Sequence, residues 1–167
     1  MTDALAIKSG PTTLGDSALV IRPATQADGR FFASSWCDTY VSSALAHSLP
    51  PAVYDTRWRP LVQRALGRSS VCVLVTEDSP DVILGWLARE GPLLHYLYVR
   101  EDFRRMGYAR RLLQWAHEGE RLTQYTSRTT DWQMLTNTKR VQADRLAFLR
   151  ALVYDPTRLW RHLGDLG

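Results

Sequence analysis

Lysine is nearly absent from this chain. It occurs only at Lys8 and Lys139, so almost all of the positive charge is arginine. The 21 basic residues exceed the 17 acidic ones and leave a formal charge of +4. That sign fits an anionic ligand and equally a nucleic-acid partner, which mean charge does not separate. Arginine narrows the chemistry, because its planar guanidinium grips phosphate through paired hydrogen bonds. Cysteine is just as scarce. Cys37 and Cys72 stand alone, and neither lies in a Cys-x-x-Cys or other metal-binding spacing. Two reduced, buried thiols of a cytoplasmic protein are the expectation. No apolar run reaches the length of a membrane span, and the N-terminus lacks the basic-then-apolar pattern of a secretory signal. There is no internal repeat and no interdomain linker. A length of 167 residues suits one domain with a real core.

Residues 1–16 mix Ser, Thr, Gly, Pro and Asp without a period and read as a flexible arm. Residues 17–167 read as a single domain. Ala18 to Pro23 is a first strand. Thr25 followed by Asp28 is a capping-box start, and the helix it opens ends within Ser42 to Ser48. Pro50 and Pro51 open a second helix, with Tyr54, Trp58, Leu61, Val62, Ala65 and Leu66 on its apolar face and Gly67 as its stop. Val71 to Thr76, Val82 to Arg89 and Leu93 to Val99 are β-rich runs, the first two spaced as a hairpin. A third helix carries Ala109, Leu112, Leu113 and Ala116 on one face. Thr123 to Thr130 alternates weakly as a fifth strand. A last helix is expected over Thr138 to Leu152, and the tail after Tyr154 has length for one strand.

The most informative stretch joins Val99 to the third helix: Arg100-Glu101-Asp102-Phe103-Arg104-Arg105-Met106-Gly107-Tyr108-Ala109-Arg110-Arg111. Small residues at Gly107 and Ala109 let a ligand approach the backbone. A helix N-terminus offers unpaired amides and the positive end of a dipole, which suits a phosphate. No Gly-Lys-Ser/Thr follows, so this is not a Walker loop, and one glycine of three excludes the dinucleotide fingerprint. The stretch resembles motif A of the GNAT acetyltransferases, Arg/Gln-x-x-Gly-x-Gly/Ala, with Arg104, Gly107 and Ala109 in the defining places. The element order from Ala18 to Glu120 is similar to that family too.

The resemblance implies an α/β fold, a GNAT-type mixed central sheet flanked by helices, with a shortened C-terminal region. It implies acetyl-CoA as co-substrate. The pantetheine would pair with the backbone of Leu97, Tyr98 and Val99. The pyrophosphate would sit on Arg105, Met106, Gly107, Tyr108, Ala109 and Arg110, with charge added by Arg104 and Arg105. Acetyl transfer needs a neutral amine, a stabilised oxyanion and a protonated thiolate. The Leu97 amide is the oxyanion candidate. His95 is the first candidate base, since an imidazole pKa of about 6.5 suits proton transfer near neutrality, and period-2 alternation puts it on the side of Leu97. The run His95-Tyr96-Leu97-Tyr98-Val99 is similar to the His-x-Leu-x-Val of arylalkylamine N-acetyltransferases. A histidine packed structurally on the sheet is the competing explanation. Glu90 is the second candidate base, with a solvated turn carboxylate as its alternative.

The C-terminal pattern departs from the family. Leu149 stands where the tyrosine acid belongs, with Val153 and Tyr154 in place of Gly-Phe and Gln142 in place of asparagine; Asn137 fits in another register. Leucine cannot give a proton, so water, Tyr125 or Tyr154 must do so, or the chain is not catalytic. Trp36 and Tyr40 are placed to border an acceptor or to pack a helix face, and Arg57, Arg59, Arg64 and Arg68 decorate the second helix. The acceptor is an amine of a small molecule, a protein or a modified base, and a second subunit would complete a site left open by the short tail. The rivals are a non-catalytic acyl-CoA-binding module and a basic nucleic-acid-binding domain.

Overall fold

The computed structural model describes residues 17–41, 52, 56, 58–126 and 147–160. The arm at 1–16, the end of the first helix in 42–48, Pro50, Pro51, Tyr54, Arg57, Asn137 and Gln142 lie outside them. The described elements are β1 (Leu19–Pro23), α1 (Gly29–Val41), α2 (Arg59–Arg68), β2 (Ser70–Thr76), β3 (Gly85–Glu90), β4 (Leu93–Val99), α3 (Tyr108–Gly119), β5 (Gln124–Tyr125), β6 (Val153–Tyr154) and α4 (Thr157–Trp160). One mixed sheet holds six strands in chain order. Strands β1 to β4 are antiparallel neighbours. Strand β5 runs parallel to β4, and β6 parallel to β5. A parallel neighbour needs a crossover, and α3 supplies it.

Alternation along β2 sorts the core into two layers. Cys72 and Leu74 point to α3 and pack with Leu87, Leu94, Tyr108, Leu112, Leu113 and Ala116. Val73 and Val75 point to α1 and α2 and pack with Phe32, Trp36, Leu61, Val62, Trp86 and Tyr96. Gly85 lets α3 come this close: a Cβ there would meet the Tyr98 carbonyl at 2.8 Å and the Leu112 side chain at 3.3 Å.

Several boundaries differ from expectation. Helix α2 passes through Gly67, which stays right-handed, and ends at Ser69, whose extended ψ of 143° and amide bond to Leu66 close the last turn. Strand β3 begins at Gly85 rather than Val82, because the Val82 amide is spent on a turn to the Ser79 carbonyl. On α3 the buried face starts with Tyr108, not Ala109. The end of the expected last helix is a 3-10 turn over Ala147–Ala151, and among the described tail residues 155–160 there is no strand: the strand is Val153–Tyr154 itself, followed by α4.

The largest departure is in β4. Ala88 faces Tyr96 while Arg89 faces Leu94, so one step on β3 spans two on β4. His95 is the extra residue of a β-bulge. Leu97 packs toward α3, whereas the His95 ring lies 6.5 Å from that of Trp36 on the other face. The alternation expected to bring His95 and Leu97 to one side is therefore broken.

The capping box at the start of the domain is present. Asp28 accepts from the Thr25 amide at 2.7 Å and from the Thr25 hydroxyl at 2.9 Å, and takes a paired contact from Arg22 at 2.8 and 3.2 Å. The Arg22 hydrogen bond leads the causes that hold its carboxyl at about 2, below the ordinary 3.8. A depressed carboxyl stabilises the fold above its unfolded pKa and loses that contribution as pH falls through the folded one. The shift corresponds to roughly 2 kcal/mol. Urea melts should show Asp28→Asn destabilised by about that much at pH 7, with the gap to the parent closing toward pH 2.

Candidate active site

The loop after β4 is shaped by two left-handed residues. Arg105 has φ 67° and Gly107 φ 83°. For arginine this conformation is costly, and for glycine it is free. Phe103 stacks on Tyr108 with ring centroids 6.3 Å apart, which pins the loop to the first turn of α3. The first intrahelical bond runs from the Arg111 amide to the Gly107 carbonyl. The amides of Tyr108 and Ala109 precede it and so lack intrahelical acceptors, and the Gly107 cap makes no side-chain hydrogen bond. A Cβ on Gly107 would meet nothing within 4 Å, so the approach is open. Arg104, Arg105 and Met106 are exposed, whereas the Tyr108 side chain is buried and only its backbone is on offer.

This loop is continuous with an edge of β4 that no described strand covers. Leu93 pairs with Gln124 and Leu94 with Tyr125, and the Thr126 amide donates to the Leu94 carbonyl at 3.0 Å. Among the described residues no strand pairs with that edge of β4 beyond this point. The bulge decides which groups face it. The Arg100 amide bonds back to Leu84 before β3, so by alternation Tyr96 and Tyr98 also turn their backbone to β3. Leu97 and Val99 therefore turn theirs to the open edge. The Val99 carbonyl accepts from Arg104 Nε at 3.3 Å, which ties the arginine to the end of this edge. The side chains of Leu97, Tyr98 and Val99 are half-buried, in contrast to the fully buried start of the strand.

At the base of the opening the structure joins the two candidate bases. His95 is 1% exposed. Its Nε2 lies 3.1 Å from Glu90 Oε2 and its Nδ1 3.2 Å from Thr126 Oγ1. Arg68 Nε donates to the same Glu90 oxygen at 3.3 Å. Burial pushes the Glu90 carboxyl up, but the His95 hydrogen bond and the Arg68 guanidinium together outweigh it, and its pKa lies below the usual value. An ionised carboxylate only accepts, so Nε2 carries the proton of the neutral ring. Nδ1 then faces the Thr126 hydroxyl, which donates to the His95 carbonyl at 3.4 Å. Thr126 and the Arg68 contact were not among the residues singled out from sequence. The signal was faint: a polar residue in a weakly alternating run, buried to 3% exposure.

The remaining sequence candidates divide. Trp36 is fully buried and stacks on Tyr96 at 4.7 Å and 14°, while the Tyr96 hydroxyl donates to Thr39 at 2.6 Å; both pack the layer behind β4. The Tyr40 side chain lies outside the description. Leu149 is buried in the α3 layer. Tyr154 is 41% exposed on β6, one strand beyond β5, with its ring 5.2 Å from that of Tyr125; the structure does not bring it to His95. Cys37 and Cys72 are buried and not joined in a disulfide, and burial pushes the Cys72 thiol up to about 12. Among the described residues no group of His, Cys, Asp and Glu could hold a metal, and no helix is long and apolar enough to cross a membrane.

Comparison with known proteins gives the family. A structure titled as a GCN5-related N-acetyltransferase from Rhodopseudomonas palustris aligns at TM-score 0.51 and 14% identity over 76% of this chain and 82% of that one, which shows a shared fold. The apo form of YjaB from Escherichia coli aligns at TM-score 0.47 and 24% identity over 62% of this chain and 67% of the other. An aminoglycoside N-acetyltransferase in complex with CoA aligns at TM-score 0.42 and 15% identity over 76% and 86%. No curated protein matches the chain. The model of the acetyltransferase (GNAT) family matches residues 34–128, which run from α1 past β5 and span both the loop and the open edge. The chain belongs to the GNAT family of acetyltransferases and is an N-acyltransferase that draws on acetyl-CoA.

Proposed function

We propose that the chain transfers the acetyl group of acetyl-CoA to a primary amine beside the C-terminal half of β4. The observation that carries this is the continuity of the site. One strand edge that no described strand covers at Leu97 and Val99 runs directly into a helix N-terminus with open approach at Gly107. An extended pantetheine amide chain pairs with such an edge as a strand would, and a pyrophosphate suits the amides of Tyr108, Ala109 and Arg110 together with the Arg105 to Gly107 turn. Arg104 and Arg105 supply charge beside it. The Leu97 amide, turned to the edge, is the group for the oxyanion. His95 is the base and Glu90 holds its proton-bearing nitrogen. Leu149 supplies no acid, so the departing thiolate takes its proton from the amine nitrogen through water or from a phenol, with Tyr154 the exposed one. The acceptor is a primary amine of a small molecule, a protein or a modified base.

Isothermal titration tests the cofactor placement. A folded Gly107→Val variant carries a β-branched side chain in a left-handed position and in the path of the pyrophosphate. Its CoA affinity should fall at least tenfold, or about 1.4 kcal/mol; an undiminished affinity places the pyrophosphate elsewhere.

Alanine at Arg104 or Arg105 should weaken CoA more than dephospho-CoA if that side chain meets the 3′-phosphate. Equal losses assign it to the pyrophosphate, and no loss assigns it to bulk surface.

Replacing His95 with glutamine keeps polarity and removes basicity. Acetyl-CoA binding should persist, turnover should drop by roughly a hundredfold, and the low-pH limb of the rate profile should vanish. Full turnover with an unchanged profile makes His95 structural, with the amine arriving neutral.

A further inference from the structure

We infer that His117 is a pH-sensitive clasp: its neutral ring fastens the last two strands to the end of α3, and protonation releases them. The clasp stands apart from the acetyl-transfer chemistry, since His117 lies in the last turn of α3 and the cofactor loop meets the first.

Two contacts define it. The Leu122 amide donates to His117 Nδ1 at 3.2 Å. The ring stacks on Phe148 with centroids 3.7 Å apart and planes 15° from parallel. Leu122 is buried in the α3 layer, where an amide left without an acceptor is costly. The next residue, Thr123, donates to the Pro92 carbonyl and accepts from the Val153 amide, each at 2.9 Å. Phe148 belongs to the 3-10 turn that leads into β6, and its neighbours Leu149 and Leu152 fill the same layer. One ring therefore touches the entry to β5 and the entry to β6, which join the sheet by two residue pairs each.

An accepting ring nitrogen carries no proton, so the neutral ring holds its proton on Nε2. Imidazolium has a donor at both nitrogens, and Nδ1–H would then face the Leu122 N–H. Turning the ring over brings a carbon to that place, and the amide is again unpaired. Phe148 does not resist the charge, because a cation stacks well on a phenyl face. The Leu122 amide is what discriminates.

The surroundings act in the same sense. Burial lowers the His117 pKa, Arg121 in the α3–β5 connection lowers it further, and Glu118 raises it. The helix end itself favours a protonated histidine, yet the net direction is down. Among the described residues, Phe148 from the 3-10 turn is neutral, and Arg89 from β3, which reaches the same helix end, donates to the Glu120 carbonyl at 3.2 Å. The folded chain holds this proton less tightly than the unfolded one. The clasp therefore contributes fully above the ordinary imidazole value of 6.5 and is lost as pH falls below it.

Imidazole nitrogen NMR on 15N-histidine protein reads the ring directly. At neutral pH the His117 signal should be the Nε2–H tautomer, and an Nδ1–H tautomer overturns the clasp. Amide exchange, expressed as protection so that its intrinsic pH dependence cancels, then follows Val153 and Asp155, whose amides donate to Thr123 and Tyr125. Their protection should fall roughly tenfold between pH 7 and pH 5.5, with the β2–β3 amides unchanged. The loss should share the midpoint of the His117 ring shifts; constant protection, or a loss that tracks another histidine, overturns the clasp. His117→Asn puts an uncharged oxygen where Nδ1 stands, so protection of the two amides should be equal at both pH values. His117→Ala has no acceptor and should show low protection at both. A pH-dependent loss that persists in the asparagine variant belongs to the His95–Glu90 pair and likewise overturns the clasp.

Discussion

One extra residue in β4 governs the site. Without the bulge at His95, strict alternation would turn the backbone of Leu97 and Val99 toward β3, and the open edge would present the groups of Tyr96 and Tyr98 instead. The same insertion puts His95 and Tyr96 on one face of the sheet, so that the imidazole sinks beside Trp36 while Leu97 and Val99 pack toward α3. A single backbone irregularity therefore sets both the polarity of the cleft wall and the burial of the base. It is stable because its neighbourhood is well filled. Trp86, Trp36 and Tyr96 are essentially closed to solvent, and Glu90 and Thr126 bracket the ring that the bulge displaces.

The packed half of the molecule and the open half are built differently. The first part of β4 is buried on both faces, and both β2 and the start of its neighbour β3 are nearly continuous apolar runs. From Leu97 onward burial relaxes, two backbone positions beyond the strand are left-handed, and the helix cap is a glycine with open space around it. Strain at Arg105 and missing side-chain capping at Gly107 would each weaken an ordinary strand-to-helix turn. They are tolerated because Phe103 on Tyr108, and Tyr108 in the core, clamp the loop from below. The order needed for binding comes from apolar contacts on one side, which leaves the other side free of obligations.

Much of the fold was legible because its signals are local. The capping box at Thr25 and Asp28, the limits of β4, and the Leu112, Leu113 and Ala116 face of α3 follow from spacing alone. Gly67 misled because glycine ends a helix by turning left-handed, and here it does not. The site was legible in its loop and obscure in its chemistry. His95 and Glu90 were found separately, as competing bases. Their pairing depends on the tight Gly91-Pro92 turn and on a bulge that breaks period two, and neither a bulge nor its register is written in the pattern of apolar residues. Thr126 was invisible for the same reason: its meaning arises from the strand it faces, 31 positions away.

The strand order has a consequence for how the site comes into being. Because space follows sequence across all six strands, each strand leaving the ribosome finds its neighbour already made. The β2–β4 meander forms from short-range connections, which close quickly, and β1 joins it across the stretch that holds α1 and α2. The parallel additions of β5 and β6 come last and join by two residue pairs each. The wall that carries the bulge and the Leu97–Val99 edge is therefore assembled before β5 is laid beside its first residues, so that losing β5 need not unmake the wall.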